Sequence, residues 1–284
     1  MFAKHSFMKY VIKADGSKQP FRKRKVFKTC LRMGAPRKVA KRIADEVEKR
    51  VYDGMKTKEI LDLVHSMLKE HNPAFGFRTD LRTALSLLRP KPDFEQFVRL
   101  VLKDLGYEVL PNQVIRGKCV EHELDGLVKD NEKTYMLEIK HHVNPHTFSG
   151  MDVCLEAYST FLDINEGYKV GNSTIRLDGI IVACNTKFSD HAKRYANCMG
   201  IKLYSWDMPE ERSLERIIEE RKLYPITLIK QLDRRILEKF GDNGIVLLKQ
   251  LTSNSAKEIS SATGVRVKRV EEIQSIARKL MGEE

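Results

Sequence analysis

Two short segments of alternating polar and apolar residues, 121–128 and 135–141, most constrain how this chain folds. Alternation with a period of two is typical of β-strands, and the polar turn between the segments predicts a β-hairpin. If residues 131–132 form a two-residue loop, Asp125 lies directly opposite Glu138, because both are equally far from the turn. Opposed Cβ atoms are about 4.5–5.5 Å apart. The sequence therefore predicts two facing carboxylates.

Two facing carboxylates need a compensating charge, because they repel each other unless a cation lies between them or one stays protonated. In the same register Glu123 is expected opposite Lys140, and all four charged side chains project to one side. The opposite, buried face is expected to carry Leu124, Val128, Tyr135, Leu137 and Ile139. A sheet that backs onto a core and carries acids and a lysine on its outer face indicates a metal-dependent phosphodiesterase site.

The composition is that of a globular protein with room for two or three domains. Of the 284 residues, 42% are hydrophobic, and no apolar run approaches the ~18 residues of a membrane span. Five scattered cysteines without a CxxC pair, and no secretory signal, favour a cytoplasmic location. The net charge of +12 is uneven, because residues 1–92 are strongly basic and 93–207 are acidic. Basic surface beside an acidic site favours a polyanionic partner such as DNA.

Hydrophobic periodicity and breaker residues predict a multidomain protein of the α+β and α/β classes. Residues 1–89 are predicted to form a small hairpin and a helical bundle, 90–207 an α/β domain of order αβββαβαβ, and 208–284 a small all-helical domain. Helices of the first domain are expected at 23–33, 36–52, 57–71 and 77–88, the third with Thr57 as its N-cap. Residues 89–92 are a predicted linker.

Several short motifs of the central domain occur in a distinctive order. They are Phe94-Glu95 in the first helix, Gly106-Tyr107 at the first strand, Leu124-Asp125-Gly126 and Glu138-Ile139-Lys140 on the hairpin, and later 180–182, 189–192 and 200–201. Together they resemble the Mrr-like branch of the PD-(D/E)xK restriction-endonuclease superfamily. This branch often has QxK where Glu138 here keeps a full carboxylate.

This resemblance implies a restriction-endonuclease-like αβββαβ core that cuts DNA with Mg²⁺ or Mn²⁺. It implies that Asp125, Glu138 and the backbone carbonyl of Ile139 hold the metal ion. Glu95 is expected to reach the site from the first helix, directly or through water. Lys140 is expected to orient the attacking hydroxide or to stabilise the charge that develops on phosphorus.

The N-terminal domain contains a second set of motifs: 11–16, Phe21, Lys25-Val26 and 52–57. They resemble the ATP-cone, the nucleotide-sensing module of ribonucleotide reductases and their repressor. The resemblance implies that ATP or dATP contacts Val11, Lys13, Lys25 and Thr57, with Gln19 at a position where the family often has an acid. It also implies a homodimer or higher homo-oligomer, since this module acts by changing oligomeric state. No GxxxxGK[ST] motif is present, so hydrolysis of the nucleotide is not expected.

The residues outside these two resemblances leave alternatives open. The helices after residue 208 resemble a helix-hairpin-helix or related small DNA-binding fold, or they serve only for packing. His141, His142 and His146 with Cys154 match no common zinc spacing and are interpreted as a polar loop near the substrate. The acids of the hairpin could equally form an exposed salt-bridged pair of strands, with Glu123 bound to Lys140.

Two functions are therefore expected. One is a Mg²⁺-dependent DNA endonuclease regulated by adenine nucleotide. The alternative is a non-enzymatic, nucleotide-responsive DNA-binding regulator with a relict nuclease fold.

Overall fold

The chain, seen in a computed structural model, is described for residues 9–13, 16–71, 78–230 and 232–283. It divides into two compact units. The first is the chain up to Leu81 with Ile229–Gln231 and Arg278–Glu284, and the second is Arg82–Leu228 with Leu232–Ala277. Residues 89–92, predicted as a linker, thus lie inside the second unit. The division into three domains at 89/90 and 207/208 stays a prediction.

The first unit combines a small sheet with helices. Strand β1 (Tyr10–Ile12) pairs antiparallel with β2 (Lys18–Pro20) and parallel with β3 (Met55–Lys56). The sequence does not predict β3, because a two-residue strand has no periodicity. Helices α1 (Lys23–Arg32), α2 (Arg37–Arg50) and α3 (Thr57–His71) lie close to the predicted positions. Their shared apolar core includes Val26, Cys30, Ile43, Val47, Val64 and Leu68.

The start of α3 differs from the predicted cap. The helix begins at Thr57, as expected, but Thr57 is its first helical residue. The carboxylate of Glu59 accepts a hydrogen bond of 3.3 Å from the backbone N–H of Lys56, which is how the third residue of a helix reaches back in a capping box. Residues 14–15, in the turn of the predicted hairpin, and residues 72–77, which include the start of the predicted helix 77–88, lie outside the described residues. Helix α4 (Leu81–Leu87) follows.

The second unit is built on a five-stranded mixed sheet. Helix α5 (Glu95–Asp104) leads into the antiparallel strands β4 (Glu108–Arg116), β5 (Glu121–Asp130) and β6 (Lys133–Lys140). After the two-residue strand β7 (Phe148–Ser149) and helix α6 (Met151–Lys169), strand β8 (Gly179–Cys184) pairs parallel with β6. The strand β9 (Lys187–Phe188), helix α7 (Asp190–Met199) and strand β10 (Lys202–Tyr204) complete the unit's sheet region, in which β10 pairs parallel with β8. Apart from β7 and β9, this is the predicted order.

The sheet is buried on both faces, which corrects the expectation of an open outer face. Leu127, Met136 and Val182 lie on the face that carries the acids, yet they are buried in one core with residues of α6 and α7. The apolar side chains predicted for the opposite face, Leu124, Val128, Tyr135, Leu137 and Ile139, are indeed buried. The acids therefore occupy the end of a covered sheet, where a side chain can be both fixed and reachable.

The chain after residue 208 is helical, as predicted. Helices α8 (Leu214–Arg221), α9 (Arg234–Asp242), α10 (Leu248–Ser253), α11 (Ala256–Thr263) and α12 (Val267–Met281) follow. Ser255 and Glu258 exchange hydrogen bonds as a capping box at the start of α11. Gly264 ends that helix at φ 66°, a conformation that glycine adopts without steric cost.

Candidate functional site

The β5–β6 hairpin has the predicted register, and the two predicted carboxylates follow directly after its paired residues. The strands turn at residues 131–132 and pair up to Gly126 opposite Leu137, so the same register continued by one residue would oppose Asp125 to Glu138. The backbone N–H of Ile139 donates a hydrogen bond of 2.7 Å to Asp125 Oδ2. Ile139 therefore contributes a backbone contact that orients Asp125, whereas the metal-ligand role of its carbonyl stays a prediction.

Lys140 pairs with acids other than the expected one. Its ammonium lies 2.9 Å from Glu138 Oε1 and 3.5 Å from Glu156 Oε2 of α6. The alternative in which Glu123 binds Lys140 is wrong, because Lys140 binds Glu138, which is two residues away on the same face of the strand, and Glu156. The interpretation of the hairpin as an exposed Glu123–Lys140 surface pair loses its basis with it.

The electrostatics of this pair are those of a crowded acidic site. Burial raises the pKa of Glu138, and the negative charge of Asp125 acts in the same direction against the hydrogen bond from Lys140. Burial opposes the charged form of Lys140, but its contacts with Glu138 and Glu156 outweigh burial and raise its pKa. Lys140 thus stays charged, while its contact with Glu138 does not fully offset the cost that burial and Asp125 impose on the Glu138 carboxylate.

Helix α5 brings a further acid and a buried arginine to the same place. Glu95, the predicted first-helix acid, is buried at the first turn of α5. Arg99, one turn later, is also buried, and its Nη1 lies 3.4 Å from Glu95 Oε2 and 3.1 Å from the backbone carbonyl of Asp125. Arg99 therefore ties the helix to the strand that carries Asp125.

Asn112 of β4 completes this network, and the sequence does not reveal it. Arg99 Nη1 donates to Asn112 Oδ1 at 3.3 Å, and the backbone of Asn112 has φ 45°. A left-handed residue inside a strand is uncommon for a residue other than glycine and often occurs beside functional sites. Only the spacing of four between Glu95 and Arg99 offers a signal in the sequence, since such residues share a helix face.

These residues surround a cleft of about 600 Å³, which we call the acidic cleft. Its lining includes Lys91, Glu95, Arg99, Asn112, Asp125, Glu138 and Glu156, with the exposed acids Glu121 and Glu123 at the same cavity. Lys91 precedes α5, and its ammonium lies 3.0 Å from Glu95 Oε1 and 3.4 Å from Asp125 Oδ1. The cleft therefore combines three of the four predicted catalytic side chains, and Lys140 contacts it through Glu138 and Glu156.

The donors of the cleft fit a hard cation that keeps part of its water. Among the described residues, no three His, Cys, Asp or Glu side chains group closely enough to form a complete protein cage for a metal ion. Asp125 and Glu138 are nonetheless two neighbouring carboxylates. Glu95 Oε1 is buried and is compensated by the Lys91 ammonium at 3.0 Å. Mg²⁺ is commonly bound by one or two carboxylates plus waters and substrate phosphate, so this set is sufficient for it.

The histidines near this cleft have structural partners. A ring nitrogen of His141 lies 3.1 Å from the carbonyl oxygen of Leu85, and one of His142 lies 2.9 Å from Ser149 Oγ. Burial lowers the pKa of both imidazoles. These contacts fix the loop after β6 against its neighbours.

A separate pocket of about 150 Å³ lies in the first unit, and we call it the N-terminal pocket. It is lined by four of the predicted nucleotide contacts, Val11, Gln19, Lys25 and Thr57, with Val26, Ile60 and Val64 as apolar wall. Lys25 Nζ donates to Gln19 Oε1 at 2.9 Å, so the missing acid is replaced by a neutral acceptor. Lys13, at the end of β1, is not among the lining residues, and its role stays a prediction.

Comparison with known proteins identifies two domains. Residues 9–75 match the ATP cone domain, and residues 224–281 match the AF1548-like C-terminal domain. The first match confirms the ATP-cone resemblance and suggests nucleotide-binding regulation. The helix-hairpin-helix likeness of the last helices stays a prediction.

A protein of Archaeoglobus fulgidus, described as uncharacterized, is 31% identical over 183 residues, which is 64% of this chain and 98% of that protein. The crystal structure of AF1548, a protein of unknown function, is similar with a TM-score of 0.58 and 31% identity, over 67% of this chain and 97% of the other. The chain therefore belongs to the family of this Archaeoglobus fulgidus protein. Within the described residues, no helix is both long and apolar enough to cross a membrane.

Proposed function

We propose that this protein is a divalent-metal-dependent DNA endonuclease whose activity is regulated by adenine nucleotide at the N-terminal pocket. The observation that carries the proposal is that Asp125 and Glu138 line one cleft just beyond the paired part of the β5–β6 hairpin, with the Lys140 ammonium 2.9 Å from Glu138. Two carboxylates and a lysine at the end of a covered sheet form a set suited to phosphodiester hydrolysis. The restriction-endonuclease-like core and DNA as partner are part of the same proposal.

In this proposal Asp125 and Glu138 hold Mg²⁺ or Mn²⁺, with the Ile139 carbonyl as a further ligand and Glu95 acting directly or through water. When bound, such an ion supplies a water of lowered pKa and neutralises charge on the phosphate. The raised pKa of Glu138 supports this role, because a carboxylate destabilised by burial and by Asp125 gains most from a cation.

The protein's own side chains would orient the reacting groups and compensate the charge that develops on them. Lys140 stays charged beside Glu138, so it is placed to orient the attacking hydroxide and to stabilise the charge that grows on the phosphate oxygens. Arg99 holds the Asp125 backbone through its 3.1 Å contact with the carbonyl oxygen, and the Ile139 N–H holds the carboxylate itself. Hydrolysis then breaks the P–O bond, adds hydroxide to phosphorus and transfers a proton to the leaving oxygen.

The regulatory half of the proposal rests on the N-terminal pocket. The ATP cone domain match at residues 9–75 suggests nucleotide-binding regulation, and exposed Lys25 beside an apolar wall suits a phosphate next to a base. We infer that ATP or dATP binds without hydrolysis and changes the proportion of a homodimer or higher oligomer, because an effector acts only by shifting such an equilibrium.

The deciding experiment is plasmid nicking by the full chain. Wild-type protein is expected to cleave with Mg²⁺ or Mn²⁺ and not with EDTA, and Asp125→Ala is expected to be inactive. Light scattering with and without ATP tests the oligomeric step in the same samples. A wild type that binds DNA without cleaving it under any of these metals would favour the alternative, a nucleotide-responsive DNA-binding regulator that is not an enzyme.

A further inference from the structure

Lys91 is a cation that contacts two acids of the acidic cleft. Its ammonium lies 3.0 Å from Glu95 Oε1 and 3.4 Å from Asp125 Oδ1, so it bridges an acid of α5 and an acid of β5. These are two of the side chains that the proposed metal site uses. A monovalent cation of the protein itself therefore stands beside the Asp125 carboxylate.

The three members of this bridge differ sharply in burial. The Lys91 side chain is 74% exposed, whereas Glu95 is 6% and Asp125 13% exposed. Buried carboxylates are held by their surroundings, but an exposed ammonium on a four-carbon stem leaves a pair at small cost, since exposed ion pairs contribute little. The acids are therefore the fixed part and the lysine is the exchangeable part.

The backbone around Lys91 is itself anchored. Arg89 donates to Asp93 through Nε at 2.9 Å and through Nη2 at 2.7 Å, and Nη2 also reaches Asp242 Oδ1 at 2.8 Å. Gly241 packs so closely that an added Cβ would meet Asp93 Oδ1 at 2.1 Å. Because both flanks of Lys91 are fixed, the side chain leaves the acids by rotating about its own bonds, without moving the chain.

The buried oxygen of Glu95 points to a different final occupant. Glu95 Oε1 is buried, and its contact with a described residue is the 3.0 Å ion pair with Lys91. Buried acceptors are almost always hydrogen-bonded, so this oxygen needs another partner whenever Lys91 leaves it. A hydrated divalent cation would supply that partner.

We propose that Lys91 is an intramolecular counter-ion that occupies the cation position between Glu95 and Asp125 until a divalent metal ion displaces it. The inference rests on the metal site of the proposed function. It adds a competitor that sets the apparent affinity of that site. If Lys91 contacts Glu95 and Asp125 in most molecules without bound metal, the metal ion binds only the fraction of molecules in which Lys91 has left these acids. Removing the ammonium then tightens metal binding by roughly three- to tenfold, the range of one or two exposed ion pairs.

The test is calorimetric titration of the full chain with Ca²⁺ in the absence of DNA. Lys91→Gln is expected to lower the apparent Kd for Ca²⁺ three- to tenfold, and Lys91→Arg, which keeps the charge, is expected to stay near wild type. The matched control is Lys103→Gln, an exposed lysine at the other end of α5. Asp125→Asn must remove the binding event, which assigns it to the acidic cleft.

Each outcome is informative. An unchanged Kd in both Lys91→Gln and Lys91→Ala, with normal thermal unfolding, would make Lys91 a surface ion pair and overturn the inference. Asp125-dependent binding that tightens without any plasmid cleavage would leave the inference standing and remove the nuclease. Absence of Asp125-dependent Ca²⁺ binding in every variant would overturn the inference together with the proposed metal site.

Discussion

The N-terminal pocket and the acidic cleft compensate charge in opposite ways. In the N-terminal pocket the charged side chain, Lys25, is exposed, and its partner is a neutral amide on an apolar wall. In the acidic cleft Glu95 is buried, Asp125 and Glu138 are partly buried, and exposed Lys91 lies at the edge. Exposed charge on an apolar wall suits a solvated anion, whereas buried acids with an exchangeable cation suit a metal ion.

The two regions also differ in how firmly their charged side chains are held before a ligand binds. The acids are fixed by backbone and arginine contacts, so their geometry is set before any ligand arrives. The exposed Lys25 side chain of the N-terminal pocket bonds to the neutral Gln19 amide, so it can follow a phosphate at small cost. Substitutions in the cleft should therefore change chemistry, and substitutions in the pocket should change affinity.

The largest expected effect is that of removing one carboxylate of the cleft. Glu138→Gln keeps shape but halves the acidic pair, and cleavage should fall about a thousandfold or more, since a catalytic cation contributes several kcal/mol to the transition state. Single-turnover plasmid cleavage measures it. The matched control is Glu121→Gln, an exposed acid of the same cleft, which should cleave at a rate near wild type. Equal loss in both variants would mean that overall negative charge, and not this pair, supports the activity.

Lys140→Ala should have the next largest effect. Loss of one preorganised charge where negative charge develops costs about a hundredfold in turnover, while DNA affinity changes little because many contacts share it. Cleavage kinetics and fluorescence anisotropy with labelled DNA separate the two quantities. Lys133→Ala, on the same strand and exposed, serves as control. Normal cleavage combined with a large loss of binding would assign Lys140 to docking.

In the N-terminal pocket a moderate change of affinity is expected. Lys25→Ala should weaken ATP or dATP binding about tenfold, the size of one charge-assisted contact, without affecting cleavage chemistry at saturating nucleotide. Gln19→Glu should also weaken binding, because a carboxylate would hold the Lys25 ammonium that now bonds to Gln19. Calorimetry on the full chain measures both, with exposed Lys28→Ala of α1 as control. Tight ATP binding by Lys25→Ala would place the phosphates elsewhere.

The smallest effect concerns pH. The pKa of Glu138 is raised above 4.5 in the folded, metal-free protein. The folded state therefore holds this proton more tightly than the unfolded state, and its stability falls as pH rises through the interval above 4.5. The slope cannot exceed about 1.4 kcal/mol per pH unit for one proton.

Urea unfolding at several pH values, as the difference between wild type and Glu138→Gln, isolates this contribution. Mg²⁺ should flatten the difference, because a bound cation favours the ionised carboxylate. A wild type that gains stability relative to Glu138→Gln over the same interval would show that Lys140 already compensates Glu138 fully.

Local patterns in the chain were enough to predict the parts that depend on near neighbours. The register of the β5–β6 hairpin follows from a two-residue loop and a period of two, and the structure has this register up to Gly126 opposite Leu137. The helix positions of the first unit follow from apolar periodicity, whereas the two-residue strand β3 has no periodicity and was not predicted. The expectation that the acidic face of the sheet is open to solvent was wrong, because helices α6 and α7, which cover it, come from more distant parts of the sequence.

The sequence by itself determined the hairpin and its register, the order of elements and the ATP cone domain, because strand period, turn length and motif spacing are properties of short stretches. Only the tertiary structure decided which charges meet. It brings Lys91 to Asp125, ties Arg99 to Asn112, and gives Lys140 to Glu138 and Glu156 instead of Glu123. These contacts depend on how a helix lies against a sheet, which packing of the whole core sets and no local pattern records.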